Sequence, residues 1–370
     1  MAIHRVTFPG RLALLQRVLT AYRAPFFDSL AQACEGGVSV GAGLPRPEES
    51  IAITDQLYFA KTVTLRNYHL LNGPFYFCYQ AGLTAWLENW LPDVLIVEAN
   101  PRYLSTPAAA RWIKSRGQPV IGWGLGAPPL SGPLSSLRKS RRLSFLHHFD
   151  ALITYSRRGA DEYAALGFPA NTIFVAPNAA AARPSNPMPV RLAEFGGKAN
   201  VLFVGRLQAR KRVDLLLKSC AALPSSLQPR LVIVGDGPER DVLQTLAKTY
   251  YPSAEFPGAK HGVELAPYFS TADLFVLPGT GGLAVQEAMS HGLPVIMGQG
   301  DGTNDDLVRP ENGWQIPPDN LSALTETLRT ALADPALLRK MGAESYRIVY
   351  EEINLEKMVG VFVEALNTVK

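Results

Sequence analysis

The chain has 370 residues, which at about 150 residues per domain corresponds to two or three domains and excludes a single small binding module. Hydrophobic residues make up 47% of the sequence and charged residues 18%, a composition that excludes intrinsic disorder. The net charge of +4 is too small for a protein that coats nucleic acid, although the first 180 residues carry 17 basic against 11 acidic side chains.

The cysteines and the first residues favour a cytoplasmic protein. Cys34, Cys78 and Cys220 lie far apart, with no CxxC pair and no cluster of histidines, which excludes a disulfide framework and a zinc site. Regularly spaced arginines near the start interrupt any apolar segment of a signal peptide. Residues 67–87 and 117–137 are uncharged but contain proline and polar residues, so we expect buried strand, turn and helix pieces there rather than membrane spans.

The first half of the chain alternates short apolar runs with helical patterns, which predicts βα units around a parallel sheet. Strands are predicted at residues 12–15, 38–42, 94–97, 120–123, 152–154 and 173–175, and helices at 23–34, 81–90, 108–115 and 157–165. Residues 177–189 contain four prolines and no periodicity, and we expect a linker there.

The second half starts the pattern afresh with the runs NVLFVGRL, RLVIVGDG and DLFVLP, each followed by a helical segment. A short strand near 255–257 with a helix around 262–269 precedes DLFVLP, and a further strand is predicted at LPVIM. From residue 319 onward the patterns are helical and no strand is predicted. The sequence therefore indicates an α/β protein with two consecutive doubly wound domains. We place them at residues 1–180 and 190–350, and expect a helix at 351–370 to pack back on the first domain.

Several common catalytic motifs are absent from the sequence. It contains no GxxxxGK[ST], HExxH or GxSxG pattern, and the glycines of GWGLGAPP (residues 122–129) do not have the GxGxxG spacing of a dinucleotide site. A P-loop, a zinc protease site and a serine hydrolase elbow are thereby excluded.

Two cations follow the first strand of the second domain. In VGRLQARKRVDLL, Arg206 stands at the strand end and Lys211 five residues later, at the start of a helix. Ligands of parallel sheets bind at the carboxyl ends of the strands, where two cations are able to clamp a diphosphate. The alternative on spacing alone is an exposed, solvated basic loop.

A glycine-rich turn precedes a second helix in LPGTGGLAVQEAMSHGLPV. The backbone N–H groups of Gly282, Leu283 and Ala284 would suit an anion at the helix N-terminus. Glu287 lies one turn further on the same face, where a carboxylate suits ribose hydroxyls or, alternatively, complements the helix dipole.

On these two segments, the sequence resembles the retaining glycosyltransferases of family 4. Four further segments carry the same resemblance: LVIVGDGPERDVL, FPG at 256–258, TADLFVLP and the tail NGWQIPPDNLSALTETLRTALADP. The resemblance covers residues 195–350 strongly and the first half weakly. It implies the GT-B fold, in which two Rossmann-like domains face each other across a cleft. It also implies a donor site for a nucleotide-diphosphate sugar in the second domain and an acceptor site in the first.

The resemblance assigns roles to individual residues. Arg206 and Lys211 match the diphosphate-binding pair and are the expected catalytic residues, and Glu287 matches the second Glu of the E-x7-E motif that holds the ribose. Gly282, Leu283 and Ala284 match the loop whose amides approach the phosphates or the sugar. Gly205, next to Arg206, completes the strand end, and Gly258 belongs to the segment that meets the base.

Two positions depart from the family pattern. The first Glu of the E-x7-E motif would fall at Gly279. A His is expected at the end of the strand VIGWG, but residues 123–126 read Trp-Gly-Leu-Gly. We therefore expect the leaving diphosphate itself to accept the proton of the acceptor, without a metal ion or another cofactor, the donor being of the UDP or GDP type. A catalytically silent nucleotide-sugar-binding protein and another GT-B reaction such as epimerisation remain alternatives.

The acceptor side is less specified, and an acceptor of glycan or lipid-linked type is expected. The basic segment LRKSRRLSFL at 137–146 contacts an anionic membrane surface, which would place the protein peripherally at the inner face of the membrane, holds an anionic acceptor, or forms a solvated helix face. Phe26 and Phe27, next to Tyr22 and Arg23, either line the acceptor cleft or belong to the core.

Overall fold

A computed structural model describes residues 6–49, 51–281, 283–300 and 302–370, and in it the chain forms two compact units. The first unit comprises Met1–Ala180 together with Leu355–Lys370, and the second comprises Ala181–Asn354. Within the described ranges, every helix is too short or too polar to cross a bilayer.

The first unit is a doubly wound α/β structure. Its strands are β1 (Leu12–Val18), β2 (Val38–Gly43), β3 (Lys61–Thr64), β4 (Arg66–Leu70), β5 (Phe77–Ala81), β6 (Val94–Glu98), β7 (Val120–Gly124), β8 (Ala151–Thr154) and β9 (Ile173–Val175). Its helices up to that point are α1 (Ala24–Gln32), α2 (Leu83–Trp90), α3 (Thr106–Lys114), α4 (Ser135–Leu146) and α5 (Arg157–Ala164). Seven strands form a parallel sheet in the order β3-β2-β1-β6-β7-β8-β9, and β4 and β5 form a separate antiparallel hairpin.

The second unit repeats this architecture. Its strands are β10 (Asn200–Val204), β11 (Arg230–Val234), β12 (Glu255–Gly258), β13 (Leu274–Leu277), β14 (Val295–Gly298) and β15 (Gly313–Ile316). Its helices are α6 (Val213–Ala222), α7 (Arg240–Tyr250), α8 (Ala266–Thr271), α9 (Leu283–Ser290), α10 (Gly302–Leu307), α11 (Leu321–Ala333) and α12 (Pro335–Glu351). All neighbouring strands are parallel, in the order β12-β11-β10-β13-β14-β15. The strand order reverses between β10 and β13, as it does between β1 and β6 in the first unit.

Helix α13 (Leu355–Val369) belongs to the first unit, although it follows the second in the sequence. The ring of Phe362 lies 4.8 Å from that of Phe26 and 4.9 Å from that of Trp123, measured between centroids. Phe26 and Phe27 are buried in the core that α13 completes, so they do not line a cleft.

Residues 67–87 form the expected strand, turn and helix pieces, as β4, β5 and the start of α2, but the hairpin β4–β5 is only partly buried. One of its faces exposes four large side chains: Tyr68, Leu70, Phe77 and Tyr79. Cys78 and Gln80, which alternate with them, are buried instead. The strand period of two is present, but the smaller and more polar residues point inward.

Candidate functional site

The predicted donor-binding residues lie at the carboxyl edge of the second sheet, on both sides of the point where its strand order reverses. Gly205 and Arg206 directly follow β10, and Gly279, Thr280 and Gly281 follow β13. In doubly wound sheets this switch point is where ligands bind, because the loops on either side diverge to opposite faces. The second unit therefore has a candidate site at the end of β10 and β13.

Backbone hydrogen bonds join the carboxyl ends of β10, β11 and β12. The N–H of Gly205 donates to the Val234 carbonyl at 3.0 Å, and the N–H of Gly235 donates to the Gly258 carbonyl at 2.9 Å. Gly258 has φ of +83°, a left-handed conformation that favours glycine. Arg206 is exposed at this edge. A ligand at this edge thus meets the backbone of three glycines, without side chains, and the exposed guanidinium of Arg206 beside them.

Lys211 is a buried cation at this site. It ends a single 3-10 turn, Ala209–Lys211, just before α6, and its exposed fraction is 9%. Its Nζ donates to the Thr280 carbonyl at 2.7 Å. Burial, together with the smaller effect of the neighbouring Arg210 charge, lowers the pKa of Lys211 to about 8. Within the described ranges no carboxylate lies at ion-pair distance from it, so its charge is left for a ligand.

The loop after β13 packs directly on the turn that holds Lys211. The N–H of Thr280 donates to the Arg210 carbonyl at 3.1 Å. A Cβ atom added to Gly279 would overlap that same carbonyl oxygen, and one added to Gly281 would lie 2.5 Å from Lys211 Nζ. A glutamate at position 279 therefore cannot be accommodated without moving the loop, which gives a steric reason for the departure from the E-x7-E pattern.

Helix α9 carries the remaining predicted donor residues. Leu283 begins the helix and is 48% exposed, and Ala284 is half-buried, whereas Gly282 lies outside the described residues. Glu287 is half-buried, and burial raises the pKa of its carboxyl, opposed by the charge of His291. A carboxylate acting as a helix-dipole partner would have a lowered pKa instead.

The Glu287 carboxylate has no hydrogen bond or ion pair with any residue in the described part of the chain. A desolvated acceptor of this kind is suited to hydroxyl donors. The structure thus joins Lys211, Arg210 and the loop after β13 by hydrogen bonds, whereas Arg206 and Glu287 contribute side chains that make none among the described residues. The described ranges also hold no cluster of three or more His, Cys, Asp or Glu side chains placed for a metal ion.

One feature of the site was missed by sequence reasoning: the backbone carbonyl of Arg210, which receives the Thr280 N–H and fills the space of a side chain at residue 279. The glycine at position 279, where the E-x7-E pattern has a glutamate, is the sequence signal that points to it.

The first unit shows the other departure from the pattern, at the end of β7, where a His was expected. Trp123 stands there, buried, with its ring 5.4 Å from the Arg23 guanidinium carbon.

Comparison with protein families gives two matches. Residues 187–348 match the family described as "Glycosyl transferases group 1", and residues 38–179 match a "Glycosyl transferase 4-like domain". Together these matches account for most of the chain.

Curated relatives match part of the chain. A GDP-mannose-dependent alpha-mannosyltransferase of Mycobacterium tuberculosis is 38% identical over 169 residues, which is 42% of this chain and 42% of the relative. The sulfoquinovosyl transferase SQD2 of Arabidopsis thaliana is 35% identical over 143 residues, 37% of this chain and 27% of the relative. The match thus spans less than half the length of each of these relatives.

Solved structures share the fold over almost the whole chain. The lipopolysaccharide outer core galactosyltransferase WaaB superimposes with a TM-score of 0.70 at 15% identity, covering 97% of this chain and 99% of the other. HepE of Anabaena, solved in complex with UDP, gives the same TM-score, identity and coverage. At this identity the likeness concerns the fold, with two Rossmann-like domains.

Proposed function

Because this chain belongs to the group 1 glycosyltransferases of GT-B fold, we propose that it transfers a sugar from a nucleotide-diphosphate donor to an acceptor hydroxyl, with retention of configuration and without a metal ion. We place this reaction in the synthesis of a cell-envelope or exopolysaccharide glycan. The observation that carries the proposal is Lys211, a buried ammonium with no carboxylate partner among the described residues, at the switch point of the second sheet.

Arg206 and Lys211 are the proposed catalytic residues. As the bond between sugar and diphosphate breaks, negative charge develops on the leaving phosphate oxygens. Cations already aimed at that position stabilise it by about 3 kcal/mol for each well-placed donor. The leaving phosphate then accepts the proton of the attacking hydroxyl on the same face of the sugar, and no side chain is required as base.

The remaining donor residues bind without reacting. Glu287 accepts hydrogen bonds from the ribose hydroxyls, for which its half-buried, unpaired carboxylate is suited. Gly205 and the amides of residues 282–284 approach the phosphates or the sugar. Gly258, at the end of β12, approaches the base.

The donor is proposed to be a sugar of the GDP or UDP type. The mycobacterial relative is named for GDP-mannose, and one structural neighbour was solved with UDP. Thermal unfolding with GDP, UDP, GDP-mannose and UDP-glucose separates the bases first and the sugars second.

Variants of the proposed donor-binding side chains test which residues contact the nucleotide. A nucleotide present at 100 times its Kd should stabilise the wild type by about 2.7 kcal/mol. The double variant Arg206→Ala, Lys211→Ala should lose this stabilisation, and Glu287→Gln should weaken binding by about 1.5–3 kcal/mol. Lys248→Ala is the matched control, because Lys248 is exposed in the last turn of α7, at the opposite edge of the sheet. If the nucleotide stabilises the double variant as much as the wild type, the assignment of Arg206 and Lys211 to the diphosphate is wrong.

Turnover separates the proposed activity from its alternatives. We expect release of GDP or UDP from the preferred donor to accelerate when a cell-envelope lipid or glycan extract is added. Nucleotide binding without any release would favour the silent binding protein, and conversion of the donor sugar without an acceptor would favour epimerisation.

We also propose a cytoplasmic protein that contacts an anionic membrane surface through α4. This helix exposes Arg138, Lys139 and Arg141 beside Leu134 and Leu137, which are 69% and 49% exposed. Basic residues near a charged bilayer contribute about 1 kcal/mol each. Phosphatidylglycerol vesicles should sediment the wild type but not the variant with all three cations changed to Gln, and phosphatidylcholine vesicles should sediment neither.

A further inference from the structure

The first unit contains a cavity of about 630 Å³ at the carboxyl edge of its sheet. Its walls come from the segments that follow β1, β6, β7, β8 and β9, and it lies beside the point where the strand order reverses, between β1 and β6. A cavity of this size at a switch point has the dimensions and the position of a small-molecule site.

A buried cation stands in the wall of this cavity. Arg23 is 5% exposed and lies among the rings of Tyr22, Trp123 and Tyr155, with its guanidinium carbon 5.1–5.4 Å from each centroid. It donates to Asn178 Oδ1, and more weakly to a backbone carbonyl. No carboxylate in the described ranges lies at ion-pair distance from it. Burying a charge without a counterion is costly, and aromatic faces offset only part of that cost.

The lining of the cavity is electropositive. Arg102 and Arg142 line it together with Arg23, whereas Glu98 is the single acidic residue of the described lining. Glu98 is half-buried, and its Oε2 accepts the backbone N–H of Arg17 at 2.5 Å. Burial raises the pKa of Glu98 to about 7, so near neutral pH this carboxyl carries only part of its charge. The three guanidinium groups therefore exceed the negative charge around the cavity.

We propose that this cavity binds the acceptor through an oxyanion, a phosphate or carboxylate group of a hydroxyl-bearing molecule, with Arg23 as the main contact and Arg102 and Arg142 as further cations. Guanidinium groups match both oxyanions because they donate two parallel hydrogen bonds. Tyr22 is 42% exposed at the cavity and offers an apolar face to a sugar ring. Identifying the ligand as the acceptor rests on the proposed transferase function; the anion site itself does not.

The test compares an anionic sugar with its neutral counterpart. Glucuronate, glucose and inorganic phosphate are titrated at constant ionic strength by calorimetry. Because Arg206 and Lys211 also attract phosphate, every titration uses the full chain with Arg206→Ala and Lys211→Met. We expect glucuronate or phosphate to bind and glucose to bind at least about ten-fold more weakly, the difference expected for one charge-assisted contact.

Three further changes locate the binding. Arg23→Gln should abolish the response, and Arg102→Gln, at an exposed residue that leaves the core intact, should weaken it by about ten-fold. Arg111→Gln, on the exposed face of α3, is the matched control and should bind like its parent. Glucose binding as tightly as glucuronate, or unchanged affinity in both Arg23→Gln and Arg102→Gln, would overturn the inference.

The relative affinities of glucuronate and phosphate identify the group that the site accepts. Two outcomes distinguish this inference from the proposed function. If the wild type binds no nucleotide while Arg23-dependent anion binding persists, the proposed function is wrong but the anion site stands. If nucleotide binding and turnover persist while the anion response is absent, the inference about the acceptor is wrong.

Discussion

Nucleotide binding is expected to weaken about ten-fold between pH 7 and pH 9, because Lys211 loses its proton in that interval. Its pKa of about 8 results mainly from burial. A group of that pKa is about nine-tenths charged at pH 7 and about one-tenth charged at pH 9. The diphosphate binds the charged form and raises the pKa of the lysine in the complex, so free protein that has lost the proton must first regain it. The resulting loss of affinity corresponds to about 1.4 kcal/mol.

Calorimetry with GDP or UDP measures this directly. The dissociation constant is compared at pH 7, 8 and 9 for the wild type, Lys211→Arg and Lys211→Met. Arginine stays charged throughout and methionine carries no charge, so both variants should lack the ten-fold loss. Titration of the nucleobase acts equally on all three proteins and cancels in the comparison. At pH 8, buffers of different ionisation enthalpy should show uptake of about half a proton per bound nucleotide in the wild type.

Two results would refute this prediction: the same pH dependence in the wild type and in Lys211→Met, or nucleotide binding by the wild type at pH 8 without uptake of a proton. Either result would mean that the ammonium held against the Thr280 carbonyl does not contact the diphosphate.

Three further predictions concern stability. Gly279→Ala should lower the free energy of unfolding by about 1–3 kcal/mol in urea denaturation, whereas Gly360→Ala, whose Cβ meets open space in α13, should leave it unchanged or raise it. The folded-state pKa of Glu98, about 7, exceeds its ordinary value of 4.5. The free energy of unfolding should therefore fall by up to about 3 kcal/mol as the pH rises from 4.5 through 7. Glu98→Gln should abolish this part of the fall between about pH 5 and pH 8. Phe362→Ala should cost about 3–5 kcal/mol in thermal unfolding, since that ring is fully buried against the first unit's core.

The two parallel sheets were largely predictable because of how such strands are buried. Strands covered on both faces are uninterrupted apolar runs, and β10 and β11 follow NVLFV and RLVIV closely. The exposed face of the hairpin β4–β5 was not predicted, because its aromatic residues face outward. Gln80 is buried instead and donates to the Gln16 carbonyl at 3.0 Å. Hydrophobicity alone assigns the wrong face to such a strand.

The candidate donor site was predictable where its residues are close in sequence. Arg206 and Lys211 lie five residues apart, and Glu287 follows the glycine-rich turn, so spacing and resemblance were sufficient to single them out. The cavity of the first unit was anticipated only in part, by the segments around Arg23 and Arg142, because Arg23, Glu98 and Trp123 follow or end three different strands. The steric role of Gly279 likewise depends on a carbonyl about 70 positions away in sequence, which only the folded chain brings near.

The route of the chain through the two units affects its synthesis. Residues 355–369 leave the ribosome after the whole of the second unit, yet Phe362 completes the packing around Phe26 and Trp123 in the first. At about 5–20 residues per second, the 174 residues of Ala181–Asn354 keep the nascent first unit without α13 for about 10–35 s. During that time its apolar surface opposite α13 is open to chaperones and to other nascent chains, while the contiguous second unit is free to fold as it emerges.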